Sequence, residues 1–201
     1  MTRGAKLSVS PPDARGDPAS FRDRLLDGLA HSIRARGYHD TTIADIVRAA
    51  RTSRRTFYDE FPSKEACFLA LLRSTNEQVA HQIAIAVDPS APLRTQVRQA
   101  IETYLDSLAR RPEITLSWIR ELPALGTSAR ALQRDMMESM VELIMRLSAR
   151  AGILPVSRQV AILLLGGLRE LVAVTVEDGG EVHQVSAVAI EATLALLVTD
   201  Q

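Results

Sequence analysis

The chain of 201 residues has a single cysteine, Cys67. One thiol cannot close an internal disulfide, and it cannot supply a zinc site of the multi-cysteine kind. It suits a reducing compartment. Glycine and proline are sparse, at 10 and 9 residues, too few for collagen-like or low-complexity chains. Long hydrophobic runs are missing: the longest apolar stretch, Val160–Leu168, has nine residues, where a membrane span takes about 20. Residues 1–20 hold Arg3, Lys6, Pro11, Pro12 and Asp13 and no apolar core of the kind a secretory leader needs. These absences make a cytoplasmic protein without a membrane partner the expectation. Net charge is also absent, since 24 Lys and Arg balance 24 Asp and Glu. What is present is 46% apolar and 24% charged residues, the composition of a globular chain. A chain this long buries about two-thirds to three-quarters of its surface, so a core forms without covalent staples.

The zero balance conceals an asymmetry. Residues 1–74 hold 13 Lys and Arg against 9 Asp and Glu, and the remainder 11 against 15. The excess is sharpest between Arg48 and Lys64, where Arg48, Arg51, Arg54, Arg55 and Lys64 meet only Asp59 and Glu60. A locally basic end suits a polyanionic partner.

Hydrophobic spacing is helical from Phe21 onward, and no segment sustains a period of two, so the expected fold is all-α, with about nine helices. Residues 1–19, with Gly4, Pro11, Pro12, Gly16 and Pro18, read as a flexible tail. The first helix is expected over 20–36, capped by Ser20 and stopped by Gly37. The second starts at Thr42, with Asp45 in the capping-box position. A third, short helix follows Ser53 and ends before Pro62, and Ser63 opens a fourth that reaches about Val87. Further helices are expected at 91–110, 112–122, 127–151, 156–177 and 182–199, punctuated by Pro and Gly. The stretch Val160–Leu168 is apolar nearly all round, which calls for cover on more than one side. A second subunit would supply it.

Three helices with a tight connection between the second and third form a helix-turn-helix layout, motif about 42–61. Phe57 and Phe61 point one way on the third helix, and Arg54, Arg55, Thr56 and Tyr58 point elsewhere. An α-helix fits the major groove, and arginine forms bidentate pairs with guanine. Thr42, Thr52, Ser53 and Lys64 sit at helix starts, where hydroxyls, N–H groups and an ammonium can hold phosphates. Arg48 and Arg51 are weaker candidates for the same surface.

The run Thr42-Ile43-Ala44-Asp45-Ile46-Val47, continued by Thr52-Ser53-Arg54-Arg55-Thr56-Phe57-Tyr58-Asp59-Glu60-Phe61-Pro62-Ser63-Lys64-Glu65, resembles the signature of the TetR (tetracycline repressor-like) family. The likeness covers about residues 20–68. It implies a homodimeric repressor, bound to a palindromic double-stranded operator and released by a small molecule. It implies a DNA-binding domain over 20–66 and an effector-binding and dimerisation domain over 67–201. Carried over by position, Thr42 and Lys64 clamp phosphates, Arg54, Arg55 and Thr56 face the groove, and Tyr58 lies on the backbone or a thymine methyl. Two residues depart from the family's pattern: Arg51 and Arg55 stand where glycine is common. If position 51 requires a positive φ, a side chain there costs roughly 1–2 kcal/mol.

The effector region implied by the resemblance holds Tyr104, Trp118, Arg120, Met136, Met137 and Met140, with Glu121 and Met145 nearby. Few charges are among them, so a mainly apolar effector is expected. The dimer interface is expected on the last two helices, centred on Leu164, Leu168, Leu171, Val188 and Leu196. No nucleophile–base pair, glycine-rich phosphate loop or metal spacing is present, so neither catalysis nor a cofactor or metal is expected. His31, His39, His81 and His183 include no i, i+4 pair. Cys67 reads as a buried, inert thiol. A ligand-independent regulator, an activator, or a helical protein-interaction module without DNA remain as alternatives.

Overall fold

In the computed structural model, residues 20–111, 114, 115, 117, 126–151 and 156–199 are described. Eight α-helices and no strand occur among them: α1 (Phe21–Asp40), α2 (Ile43–Ala49), α3 (Arg54–Glu60), α4 (Lys64–Ala86), α5 (Leu93–Ala109), α6 (Thr127–Arg150), α7 (Arg158–Glu177) and α8 (Ser186–Thr199). A 3-10 turn, Val182–Val185, precedes α8 where a continuous helix was expected. The expected helix at 112–122 and the tail 1–19, with Arg3, Lys6 and Arg15, fall mostly or wholly outside the described residues.

The caps follow the sequence pattern. Ser20 accepts from the Asp23 N–H and Thr42 from the Asp45 N–H, each closing a capping box, while Ser53 and Ser63 cap α3 and α4. Gly37, at φ 78°, interrupts α1 where the stop was expected, and a last turn carries the chain to Asp40. Each cap satisfies N–H groups that the helix leaves unpaired.

Two apolar clusters organise the packing. The first joins Leu25, Leu29 and Ile33 of α1, Ile46 of α2, Phe57 of α3, then Phe61, to Cys67, Phe68, Leu71 and Leu72 of α4. It continues into Ile114, Ala129, Leu132 and Met136. The second holds Val79 and Ile83 of α4 with Ile101, Tyr104 and Leu105 of α5, Met140 and Val141 of α6, Val172 of α7 and Ile190 of α8. Helix α4 contributes to both. An ion pair between Arg73 and Asp135, 3.8 Å apart, also ties α4 to α6.

Helix α7 departs from the run-length argument. Its most apolar 18-residue window has a mean hydropathy of 1.7, so by length and composition alone it could cross a membrane. Arg169 and Glu170 end the run, but apolar residues on both sides of them keep the average high. One side of α7, with Leu165, Leu168 and Val172, packs on the second cluster. Ile162, Leu163, Leu171 and Val174 are exposed.

Gly28 brings α1 and α2 together. A Cβ there would lie 2.7 Å from the Ile46 carbonyl oxygen and 3.0 Å from the Ala50 nitrogen. Both are backbone atoms, which cannot turn aside. Gly28→Ala is therefore expected to destabilise the chain by about 1–3 kcal/mol despite alanine's higher helix propensity. Urea unfolding checks the sign: propensity alone would give a stabilised variant.

Candidate nucleic-acid interface and effector cavity

The turn between α2 and α3 is a Schellman motif. Thr52 N–H donates to the Val47 carbonyl at 2.9 Å, and Arg51 N–H to the Arg48 carbonyl at 3.2 Å. The motif requires a left-handed residue between them, and Arg51 takes it at φ 52°, alone among the described non-glycine residues. Its side chain points into solvent.

Helix α3 is seated by its apolar side. Phe57 is fully buried, Phe61 nearly so, and their rings lie 5.9 Å apart. Arg22 of α1 stacks its guanidinium 4.4 Å above Phe61 and donates to the Glu60 carbonyl at 3.4 Å, fixing the end of α3. Arg54, Arg55 and Tyr58 of the same helix are exposed, Tyr58 at 57%. Neither arginine has a hydrogen-bond or ion-pair partner among the described residues. Thr56 is half-buried, its hydroxyl 2.9 Å from that of Ser53.

The α1–α2 corner is polar and fully engaged. Asp45 Oδ2 accepts from the Thr42 hydroxyl at 2.6 Å and its N–H at 3.1 Å. Oδ1 faces Arg36 at 3.3 Å and Arg48 at 3.2 Å. The Thr42 hydrogen bonds, helped by the two arginines, hold the Asp45 carboxyl below the usual carboxylate range. Lys64 Nζ donates to the carbonyls of Tyr38 at 2.9 Å, His39 at 3.2 Å and Thr41 at 2.9 Å, and lies 4.4 Å above the Tyr38 ring.

The second cluster encloses a cavity of about 120 Å³ between α4, α5, α6, α7 and α8. Its walls are Ile83, Ile101, Met140, Leu143, Leu164 and Leu168 among other aliphatics, with polar atoms only from Gln96, Tyr104, Ser148 and Thr193. Burial pushes the Tyr104 phenol up to about 12, against the pull of Arg169.

Residues 25–71 match the model of bacterial regulatory proteins of the tetR family. Over that stretch the chain is similar to the tetR family. An uncharacterised HTH-type transcriptional regulator of Bacillus subtilis (strain 168), YdgC, is 38% identical over 58 residues, 29% of this chain and 30% of that protein. EthR, an HTH-type transcriptional regulator of Mycolicibacterium smegmatis, is 28% identical over 113 residues, 54% of this chain and 52% of that one. The chain thus spans about a third to a half of the curated relatives it matches. Two solved structures share the fold along most of both chains. The fatty acid degradation regulator FadR of Bacillus halodurans superposes with a TM-score of 0.72 at 18% identity, over 91% of this chain and 96% of that one. FadR of Bacillus subtilis, in complex with stearoyl-CoA, gives 0.70 at 16% identity, over 87% and 97%.

Against the expected sites, the chain groups Arg51, Thr52, Arg54, Arg55 and Tyr58 around the turn and the outer side of α3. It gives two residues other tasks. Lys64 donates to three backbone carbonyls of the α1–α2 corner. The Thr42 hydroxyl is taken by Asp45. Arg48 is exposed but paired with Asp45, and Ser53 serves as a cap. Tyr104 and Met140 line the cavity, Met136 a smaller one, and Met137 only packs against the second cluster. Met145 is exposed. Trp118, Arg120 and Glu121 lie outside the described residues. Leu164 and Leu168 are half-buried and line the cavity. Leu171 and Val188 are exposed and Leu196 is half-buried. The four histidines are exposed, and among the described residues no metal-binding cluster occurs. Cys67 is fully buried, its thiol pushed up to about 12 by desolvation, as an inert thiol would be. Missed in the sequence were the aliphatic cavity walls and the Arg22 and Lys64 clamps, which pair residues 38 and 26 or fewer positions apart.

Two outcomes follow. Arg51→Gly is expected to raise stability by up to about 1 kcal/mol, the relief of left-handed strain offset by glycine's backbone entropy; chemical denaturation measures it, and a clear loss would mean that Arg51 is unstrained. Asp45 has a lowered folded-state pKa, so its contribution is present above the unfolded pKa and disappears as pH falls through the folded one. Asp45→Asn should lower the melting temperature at neutral pH, and its gap to the parent should close in acid.

Proposed function

We propose that the chain is a homodimeric, DNA-binding transcriptional regulator, most simply a repressor released from a palindromic operator by a mainly apolar effector. The observation that carries this reading is the outer side of α3. Arg54, Arg55 and Tyr58 stand exposed, with both guanidinium groups unpaired among the described residues, on a helix fixed from behind by Phe57, Phe61 and Arg22. Unpaired cations on a rigid helix are what bidentate guanine readout needs. Arg51, Thr52 and Ser53 join them as phosphate contacts, while Lys64, Thr42 and Arg48 act by shaping the corner beneath. Residues 20–66 form the DNA-binding part and 67–201 the effector-binding and dimerising part.

The exposed side of α7, with Ile162, Leu163, Leu171 and Val174, and Val188 of α8, is covered by a second copy of the chain. Gly167 stands on that side with open space above it, which permits close helix approach. Such a dimer sets two recognition helices about 34–36 Å apart, one turn of DNA. The aliphatic lining of the 120 Å³ cavity favours a straight or compact hydrocarbon body over a charged ligand. The long-chain acyl ligand of the structurally similar FadR fits that chemistry.

Selection of bound sequences from a random duplex pool at about physiological salt tests the reading. A palindrome with half-site centres one helical turn apart is expected. With that duplex in hand, Arg55→Ala should cost about 1–3 kcal/mol on the operator and much less on scrambled DNA, so the ratio between them falls. An unchanged ratio would remove Arg55 from base readout, and recovery of no sequence above background would sink the proposal.

A further inference from the structure

The cavity described above is not the only space that Tyr104 borders. A second, of about 40 Å³, lies between α4, α5, α6 and residues 114–115, with Leu72, Thr75, Asn76, Ile114 and Met136 in its walls. Tyr104 lines both. Along α6 the same division recurs: Met140 borders the larger cavity and Met136, one turn earlier, the smaller. The ring of Tyr104 is thus the wall between two neighbouring spaces.

That wall is held by packing and by the nearby charge of Arg169 rather than by a hydrogen bond. Tyr104 is 7% exposed, yet its hydroxyl makes no hydrogen bond among the described residues. A buried phenol normally finds a partner, and one without a bond gives up nothing polar when it turns. The methionines beside it are unbranched and repack at small cost. The far wall has a further property. Leu72, Ile114 and Met136 are members of the first cluster, the one that contains Leu29, Ile46 and Phe57 and seats α3. The larger cavity touches only the second cluster and residues packed against it at Met140, Ile83 and Leu168. An occupant of the smaller space therefore presses on the core beneath the DNA-facing helix, and an occupant of the larger one does not.

We propose that Tyr104 is a movable partition that joins the two cavities into one length-selective site for a straight apolar chain. This rests on the larger cavity being the effector site. Short chains fill the larger cavity and leave Tyr104 in place. Chains past a threshold length turn it, enter the smaller cavity and meet Leu72, Ile114 and Met136. Binding is then common to many lengths, and release of DNA belongs to the longer ones.

Straight-chain saturated carboxylic acids, from hexanoic to palmitic, are the probes. They are titrated calorimetrically into the full-length parent, Thr75→Leu and Tyr104→Ala, and added to the complex with the selected duplex. In the parent, DNA release is expected to begin at a threshold length, above that of the first acids that bind. Thr75→Leu fills the smaller cavity from α4. It should leave short acids within about twofold and weaken those past the threshold by about tenfold or more, as loss of one to two buried methylenes would. Unchanged binding of short acids shows that the variant is folded. Tyr104→Ala removes the partition, and the break in affinity against length should vanish. A Thr75→Leu effect equal at every length, or a parent curve without a break, overturns the partition while leaving the effector site standing. Binding of no acid of any length by the parent overturns the effector site, and the partition with it.

Discussion

Helix α4 belongs to two hydrophobic cores at once, and that constraint governs what the rest of the chain can do. Its first half, through Cys67, Phe68, Leu71 and Leu72, closes the three-helix unit. Its second half, through Val79 and Ile83, closes the cluster around the cavity. Cores are packed like crystals and shift in discrete steps. A helix shared by two of them cannot be displaced in one without a response in the other. Lys64 sharpens the constraint at the N-terminal end. Its ammonium holds three carbonyls of the α1–α2 corner, so α4 carries that corner with it. The DNA-facing helix is two steps away, through Phe57 and Phe61.

The distribution of satisfied and unsatisfied charge gives the three-helix unit its direction. Arg22, Arg36, Arg48 and Lys64 all have partners within the unit, a ring and carbonyl, a carboxylate, or three carbonyls. Arg51, Arg54 and Arg55 have none among the described residues. A chain of zero formal charge can still present exposed cations there, because Asp45 and Glu60 pair with the inner set. Arg51 adds an argument of a different kind. It holds a left-handed conformation that glycine would adopt without strain. Strain of this sort tends to sit where a side chain has a task, and the proposed phosphate contact is such a task.

Local chemistry was the most legible part of the sequence. The hydroxyls of Ser20, Thr42, Ser53 and Ser63 fall at the expected helix starts, and Gly37 breaks α1 as anticipated, because capping and glycine conformation depend on a few adjacent residues. The positive φ at Arg51 was legible only through the family resemblance, which puts glycine at that position. Lys64 was not. Its three carbonyl contacts depend on the bend at Gly37, and that bend's direction is tertiary information. Gly28 did leave a signal, since a glycine inside a helix usually has a packing reason. The cavity walls left none: Ile83, Leu143 and Leu164 look the same in sequence whether they face a neighbour or a void.

Helix α7 failed for a reason that reaches into the proposed mechanism. A helix apolar nearly all round has no phase, so the sequence cannot say which leucines point inward. The structure turns Leu164, Leu165 and Leu168 to the cavity and leaves Leu163, Leu171 and Val174 outside. The two sides are one rigid element about ten ångströms across. In the proposed dimer, an effector that presses on the inner side meets a helix whose outer side is clamped by its symmetry mate. The helix on the opposite wall, α4, has no such support and is the one that must yield. Its far end is anchored by Lys64 to the corner under α3. A stiff α7 and a movable α4 would thus convert entry of a long chain into the smaller cavity, at Leu72 and Thr75 of α4, into a change in the distance between two recognition helices.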